Sequence, residues 1–315
     1  MKALVTGGAG FIGRWLVKKL LEQNIEVIVL DDLSNGAKEN LNEFKKNSFF
    51  KGLIVGSITD KSKIKQCFND KIDMCFHLAA KIDIQESINE PEIYFDVNIN
   101  GTLNILEEAK KQKCKFIVVG TCMVYDVAST HNAINEEHSL NPLSPYAASK
   151  LASEFVAISY YKTYGLPVVI VRPFNTYGPY QKPNMEGGVI SIFLDKKLKN
   201  DVIDIFGEGT QTRDFLYVED CVDFIIKAAF NKKSIGEIFN VGFGKSISIK
   251  DLALMIINDE KKMKYVSHHH PQGEIMNLIC DSSKAKNILN WEPKISLSEG
   301  LKKTEEWLKE CLLKE

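Results

Sequence analysis

The chain has 315 residues, 44% hydrophobic and 26% charged, an ordinary globular make-up long enough for one large core or two unequal ones. Forty Lys and Arg against 41 Asp and Glu leave a net charge of −1, which excludes a general attraction to nucleic acid or acidic membranes. Any phosphate must therefore be met by local groups. The seven cysteines are scattered and form no Cys-x-x-Cys pair, which reads as reduced thiols rather than a disulfide framework, and no metal site is expected. Met1 to Thr6 reads as a strand rather than a signal peptide, and no apolar run reaches ~20 residues, so a cytoplasmic protein without a membrane partner is expected.

Ala3-Leu4-Val5 is a short apolar run that breaks into Gly7-Gly8-Ala9-Gly10-Phe11-Ile12-Gly13. Trp15, Leu16, Val17, Leu20 and Leu21 then recur at helical spacing, which makes strand, glycine turn, helix. The glycines let backbone approach a pyrophosphate, whose charge meets the N-terminus of the following helix. The next strand, Glu26 to Leu30, ends in Asp31-Asp32, about 20 residues beyond the loop, where a dinucleotide fold places a carboxylate on the ribose hydroxyls. That carboxylate repels a 2′-phosphate, so NAD is the expected cofactor.

Further along, Phe49 to Val55 reads as a strand closing on Gly56-Ser57-Ile58, Asp60 to Phe68 as a helix, and Asp73 to His77 as a buried strand delivering Leu78-Ala79-Ala80. Pro91 to Lys111 reads as one long amphipathic helix carrying Asn98, which is costly to bury unpaired and should bind backbone. Phe116 to Val119 is the next buried strand and ends in Gly120-Thr121-Cys122-Met123. Ser144-Pro145-Tyr146-Ala147-Ala148-Ser149-Lys150 starts a helix running to about Tyr164, with Tyr146 and Lys150 on one face. A cation beside a phenol favours the phenolate, and so a general base. After a strand at Pro167 to Val171 come Arg172-Pro173-Phe174-Asn175-Thr176-Tyr177-Gly178-Pro179, then Gly187-Gly188-Val189 opening a helix, then Arg213. Helical spacing returns over Val222 to Phe230 and Ile249 to Ile257. His268-His269-His270-Pro271 precedes a last amphipathic helix.

The Gly7-x-x-Gly10-x-x-Gly13 loop, Thr121, the Tyr146/Lys150 pair, the Arg172 to Pro179 run and Arg213, in this order, resemble extended short-chain dehydrogenases of the NAD-dependent nucleotide-sugar epimerase/dehydratase family. The resemblance spans essentially the whole chain. It implies an α/β fold: a Rossmann-type doubly wound parallel sheet binding NAD over 1–172, with 214–241 returning to it, and a smaller substrate-binding lobe from 173–213 and 242–315. It implies NAD contacts from Gly7, Gly10, Phe11, Ile12, Gly13, Asp31, Asp32, Ser57, Ile58, Leu78, Ala79, Ala80, Asn98, Tyr146, Lys150 and Pro173. Ser57 stands where the family usually has Asp on the adenine. Thr121, Tyr146 and Lys150 are the implied catalytic residues. Thr121, Tyr146, Asn175, Gly188, Val189, Arg213 and His270 are the implied contacts to a nucleotide-diphosphate sugar, with His270 near the place of a usual arginine.

Cys122 and Met123 occupy the positions of the acid/base pair that dehydratases of this family use across C5 and C6. A nucleotide-sugar 4-epimerase acting through transient C4 oxidation is therefore expected. A 4,6-dehydratase or decarboxylase starting with the same oxidation, and a non-catalytic NAD-binding protein, stay open beside it. A homodimer joined through the helix after Tyr146 and the helix around Asn98 is implied as well.

Overall fold

The computed structural model describes residues 1–128, 132–183, 188–267 and 275–313. Its elements run β1 (Lys2–Thr6), α1 (Phe11–Glu22), β2 (Glu26–Asp31), β3 (Phe50–Val55), α2 (Lys61–Cys67) and β4 (Met74–His77). Two short helices, α3 (Ile84–Asn89) and α4 (Pro91–Phe95), precede α5 (Thr102–Gln112), β5 (Lys115–Val119), α6 (Pro145–Tyr164) and β6 (Val168–Pro173). Next come β7 (Asn175–Tyr177), α7 (Val189–Leu198), β8 (Ile203–Phe206), β9 (Thr212–Tyr217), α8 (Val218–Phe230), β10 (Ile238–Val241) and β11 (Ser246–Ser248). The chain closes with α9 (Ile249–Ile257), β12 (Met263–Val266), α10 (Ser283–Leu289) and α11 (Leu297–Leu312).

Seven strands form one parallel sheet in the order β10-β6-β5-β4-β1-β2-β3. Strand side chains alternate between faces, and the apolar residues divide accordingly. Ala3, Val5, Val29, Ile117 and Val169 point into a core shared with Leu16 and Leu20 of α1 and Val222 and Ile225 of α8. Leu4, Leu30, Phe116, Val118 and Ile170 point into a second core with Ile64 of α2, Ile105 of α5 and Ala157 of α6. Helices on both faces of a parallel sheet make the doubly wound α/β fold expected from the sequence. The strand order reverses between β1 and β4, and the crevice at that switch point is where such a sheet holds ligands. The remaining strands form two smaller sheets, β11-β9-β7 and β12-β8, the first joined to β6 in the chain through β7.

The long helix expected over Pro91 to Lys111 is interrupted by a π-helical stretch, Asp96–Gly101. Asn98 supplies the reason: its Oδ1 accepts from Lys81 N at 2.8 Å and its Nδ2 donates to Lys81 O at 3.1 Å and to Ser149 Oγ at 2.9 Å. Facing the amide group toward these partners displaces the helical ladder, a common device beside functional sites. No helix among the described residues is long and apolar enough to cross a membrane.

Asp214, fully buried on β9, ties three segments of the chain together. Its carboxylate accepts from the backbone N–H groups of Phe243 and Gly244, both at 2.8 Å, and of Cys280 at 3.0 Å. Asp214→Ala strips the partner from three buried donors, so a loss of about 3 kcal/mol is expected. A lowered unfolding temperature by calorimetry checks this, and an unchanged one sinks it.

Candidate active site

A cleft runs along the carboxyl ends of β1, β2, β4, β5 and β6. Its floor begins at the glycine loop. Gly7 turns with φ +70°, and a Cβ there would press on the Ala79 backbone. A Cβ at Gly13 would overlap the Gly7 carbonyl oxygen, so only glycine lets α1 start against the end of β1. Gly10, Phe11 and Ile12 line the cleft with these two, and α1 aims its N-terminus at it. Asp31 receives Ala9 N at 2.9 Å on Oδ2 and Leu33 N at 2.8 Å on Oδ1, which locks the loop to the end of β2. Burial pushes its carboxyl above the ordinary range, and those two amides oppose the shift. Asp32 beside it accepts from the Ser34 amide and hydroxyl at 2.9 and 2.6 Å.

Ser57, Ile58, Leu78, Ala79 and Ala80 line the same half of the cleft. The Ser57 hydroxyl is turned to Thr59, meeting Oγ1 at 2.9 Å and accepting from its amide at 3.1 Å. The cradle of small residues, the paired Asp31 and the helix N-terminus fit a dinucleotide: a flat base and ribose against the alanines, a pyrophosphate at the glycines. When bound, NAD⁺ would supply an acceptor for hydride; the other end of the cleft lies where β5 and α6 meet.

That far end carries the other expected residues. Thr121 follows β5, and Tyr146 and Lys150 project from α6, whose start is fixed by Ser144 Oγ accepting from Ala147 N at 3.2 Å. All three line the cleft, together with Pro173 and Asn175 after β6, Gly188 at the start of α7, and Arg213 on β9. Arg213 Nη1 donates to Thr212 O at 2.9 Å and Ile275 O at 2.7 Å, which holds the guanidinium against the wall. The Asn175 Oδ1 is buried without a hydrogen bond among the described residues, an acceptor poised at the cleft.

Asn98 and Val189 do not line the cleft; Asn98 lies behind it, joined through Ser149 Oγ to the Tyr146 carbonyl oxygen at 2.7 Å. His270 and Gly187 lie outside the described residues.

The electrostatics differ from the sequence expectation. Lys150 Nζ donates to Val119 O at 2.8 Å, and burial pushes the ammonium down to about 8, with Glu154 opposing. Burial is also the largest influence on Tyr146 and pushes the phenol up to about 12, against a lowering by hydrogen bonding with Thr121. Desolvation of the phenolate is thus the dominant influence on Tyr146, and Thr121 is the group that opposes it. Cys122 is buried in a cluster with Val124, Phe174 and Cys280, and desolvation pushes its thiol up to about 12. Met123, not Cys122, lines the cleft.

Several residues at the site were not among the expected contacts. His77 is buried with Nδ1 2.8 Å from Thr6 Oγ1 and Nε2 2.9 Å from Thr102 Oγ1, and Thr102 donates to Asn98 O at 2.6 Å. Burial pushes the imidazole down to about 3, so this chain of neutral groups braces the switch point. Tyr180, Gln181 and Lys182 also line the cleft.

Comparison with known proteins agrees with this geometry. A family model described as GDP-mannose 4,6 dehydratase matches residues 4–304. A putative UDP-glucose 4-epimerase of Methanocaldococcus jannaschii is 39% identical over 309 residues, which cover 97% of this chain and 98% of that protein. The X-ray structure of Pal from Bacillus thuringiensis is 49% identical with a TM-score of 0.96, covering 99% of this chain and 100% of the other. The crystal structure of dTDP-glucose 4,6-dehydratase from Bacillus anthracis in complex with NAD is 29% identical with a TM-score of 0.89, covering 98% and 97%. With the glycine loop, the doubly wound sheet and the cleft at its switch point, these matches place the chain in the NAD-dependent nucleotide-sugar epimerase/dehydratase family of extended short-chain dehydrogenases, as an enzyme whose cofactor is NAD.

Proposed function

We propose that this enzyme is a nucleotide-sugar 4-epimerase. Its sheet carries NAD, and the lobe of β7, β9, β11 and α7 holds the nucleotide diphosphate between Asn175, Gly188 and Arg213. Tyr146 takes the proton of the sugar 4-hydroxyl as C4 is oxidised. Thr121 hydrogen-bonds the same oxygen and steers that transfer. Lys150 supplies a cation one helical turn away, which favours the phenolate. The 4-keto sugar then turns over while its diphosphate stays anchored, and Tyr146 returns the proton when C4 is reduced on its other face.

One observation carries the choice of epimerisation over elimination. Beside Thr121 and Tyr146 the cleft wall is Met123, and the carboxylates among its described lining residues are Asp31 and Asp32. Those two stand at the end of β2, three strand spacings from β5, or about 14 Å. Removing water across C5 and C6 needs a base at C5 and an acid at the leaving hydroxyl, and a thioether is neither.

Incubating the NAD⁺ form with UDP- and dTDP-sugars in deuterium oxide tests this. A product of unchanged mass, inverted at C4 and free of deuterium on carbon, is expected. A product lighter by water with deuterium at C5 replaces the proposal with the 4,6-dehydratase reading, and loss of carbon dioxide replaces it with the decarboxylase.

We also propose a homodimer. Phe155 on α6, Ile93 and Phe95 at α4 and Leu103 on α5 are exposed apolar side chains, with Phe155 52% exposed. A face of this kind on neighbouring helices is worth burying against a second copy. Phe155→Asp is expected to shift the mass by light scattering from dimer to monomer, and a monomeric parent protein ends the proposal.

A further inference from the structure

A buried ion pair lies beneath the reacting end of the cleft. Glu154 stands one turn after Lys150 on α6, with none of its side chain exposed. Its Oε2 accepts from Arg172 Nε at 3.0 Å and Nη2 at 2.7 Å. Arg172 Nη1 donates to the Tyr125 hydroxyl at 2.8 Å, and that hydroxyl donates to Asn240 Oδ1 at 2.7 Å. Glu154 Oε1 is buried without a hydrogen bond among the described residues, and it lies against Gly120, where a Cβ would overlap it. The chain of contacts thus ties α6 to the end of β5 just before Thr121, to β6 just before Pro173, and to β10.

Pairs buried this deeply contribute little net stability, since apolar replacements of similar volume are often as stable. Removing only one partner is another matter, because it strands a charge. The position of this pair points instead to the chemistry above it. We propose that Glu154, clamped by Arg172, is a positioning residue for the proton transfer: one turn after Lys150 on α6, its carboxylate stands beneath the reacting pair and seats the Gly120 turn that presents Thr121.

Glu154 opposes the burial that lowers Lys150, and as a like charge it adds to the burial that raises the Tyr146 phenolate. Burial is the largest influence on Glu154 itself and pushes its carboxyl up, while Arg172 and then Lys150 favour the ionised form. Other groups facing the pair are Cys122 after β5, held as a thiol, His77 on β4, held neutral, and Tyr94 on α4, edge-on to the Tyr146 ring at 6.5 Å. Neutralising Glu154 should therefore move both Tyr146 and Lys150 to lower pH. A purely structural residue would weaken the fold and leave those titrations in place.

This inference rests on Tyr146 and Lys150 being the reacting pair, but its test needs no substrate. The NAD⁺ complex is titrated by tyrosinate absorbance, with the Tyr146→Phe protein subtracted to isolate Tyr146. In Glu154→Gln the Tyr146 midpoint is expected to fall by roughly one pH unit, and Glu154→Asp should restore most of it. Should Glu154→Gln fail to fold, the Glu154→Gln/Arg172→Gln protein removes both charges together and is expected to shift Tyr146 in the same direction. A folded variant of either kind with an unmoved midpoint overturns the proposal. If the shift appears while no nucleotide sugar is converted, the positioning role stands and the assigned reaction fails.

Discussion

Tyr146→Phe is expected to lower turnover by about a thousandfold or more while the protein still folds and binds NAD. The substitution removes one oxygen from a buried ring that sits edge-on to Tyr94, so packing is preserved. What disappears is the group proposed to take the 4-hydroxyl proton, and a positioned acid/base group is worth typically ~10² to 10⁴ in rate. Thr121 and Lys150 remain, but a threonine hydroxyl is too weak an acid or base to substitute near neutral pH. The check is steady-state kinetics on whichever nucleotide sugar the parent enzyme converts, beside calorimetric titration with NAD⁺. Turnover within tenfold of the parent would remove Tyr146 from its assigned role. Loss of NAD binding along with activity would instead mark it as a cofactor contact first.

Gly13→Ala should reduce NAD⁺ affinity by about ten- to a hundredfold and lower the unfolding temperature. The added Cβ would overlap Gly7 O and reach 2.8 Å from Gly8 Cα, and both are backbone atoms of the loop at the floor of the cleft. Backbone has no rotamer to yield, so either α1 or the loop must move, and overpacking of this sort costs about 1–3 kcal/mol. Calorimetric titration with NAD⁺ measures the affinity directly. Parent-like affinity in Gly13→Ala would mean that the loop does not form the floor of the dinucleotide site.

The glycine loop, Asp31 at the end of β2, and the pairing of Tyr146 with Lys150 after a Ser144 cap are local patterns. Turn chemistry, helix capping and the 3.6-residue period act over a few residues, so the string of letters already contains them. The doubly wound sheet was legible for the same reason, since apolar strands alternate with amphipathic helices along most of the chain. The resemblance to a known family then added Thr121, Asn175 and Arg213, whose meeting in space no local rule supplies.

Other features depended on partners far away in sequence. The π-helical break at Asp96–Gly101 exists because Asn98 bonds the backbone of Lys81, and a periodicity reading passes over it as ordinary helix. Arg172 read as part of a loop motif, and its Glu154 partner on α6 became visible only once β6 lay against that helix. For Tyr146, the sequence shows a lysine four residues on that favours a phenolate, and the fold adds a burial that opposes it. A helical repeat places two groups on one face, but desolvation is a sum over everything packed around them. The sequence by itself determined which side chains stand at the strand ends and in what order; the tertiary structure decided how deeply they are buried and which charges meet, because both depend on segments that only folding brings together.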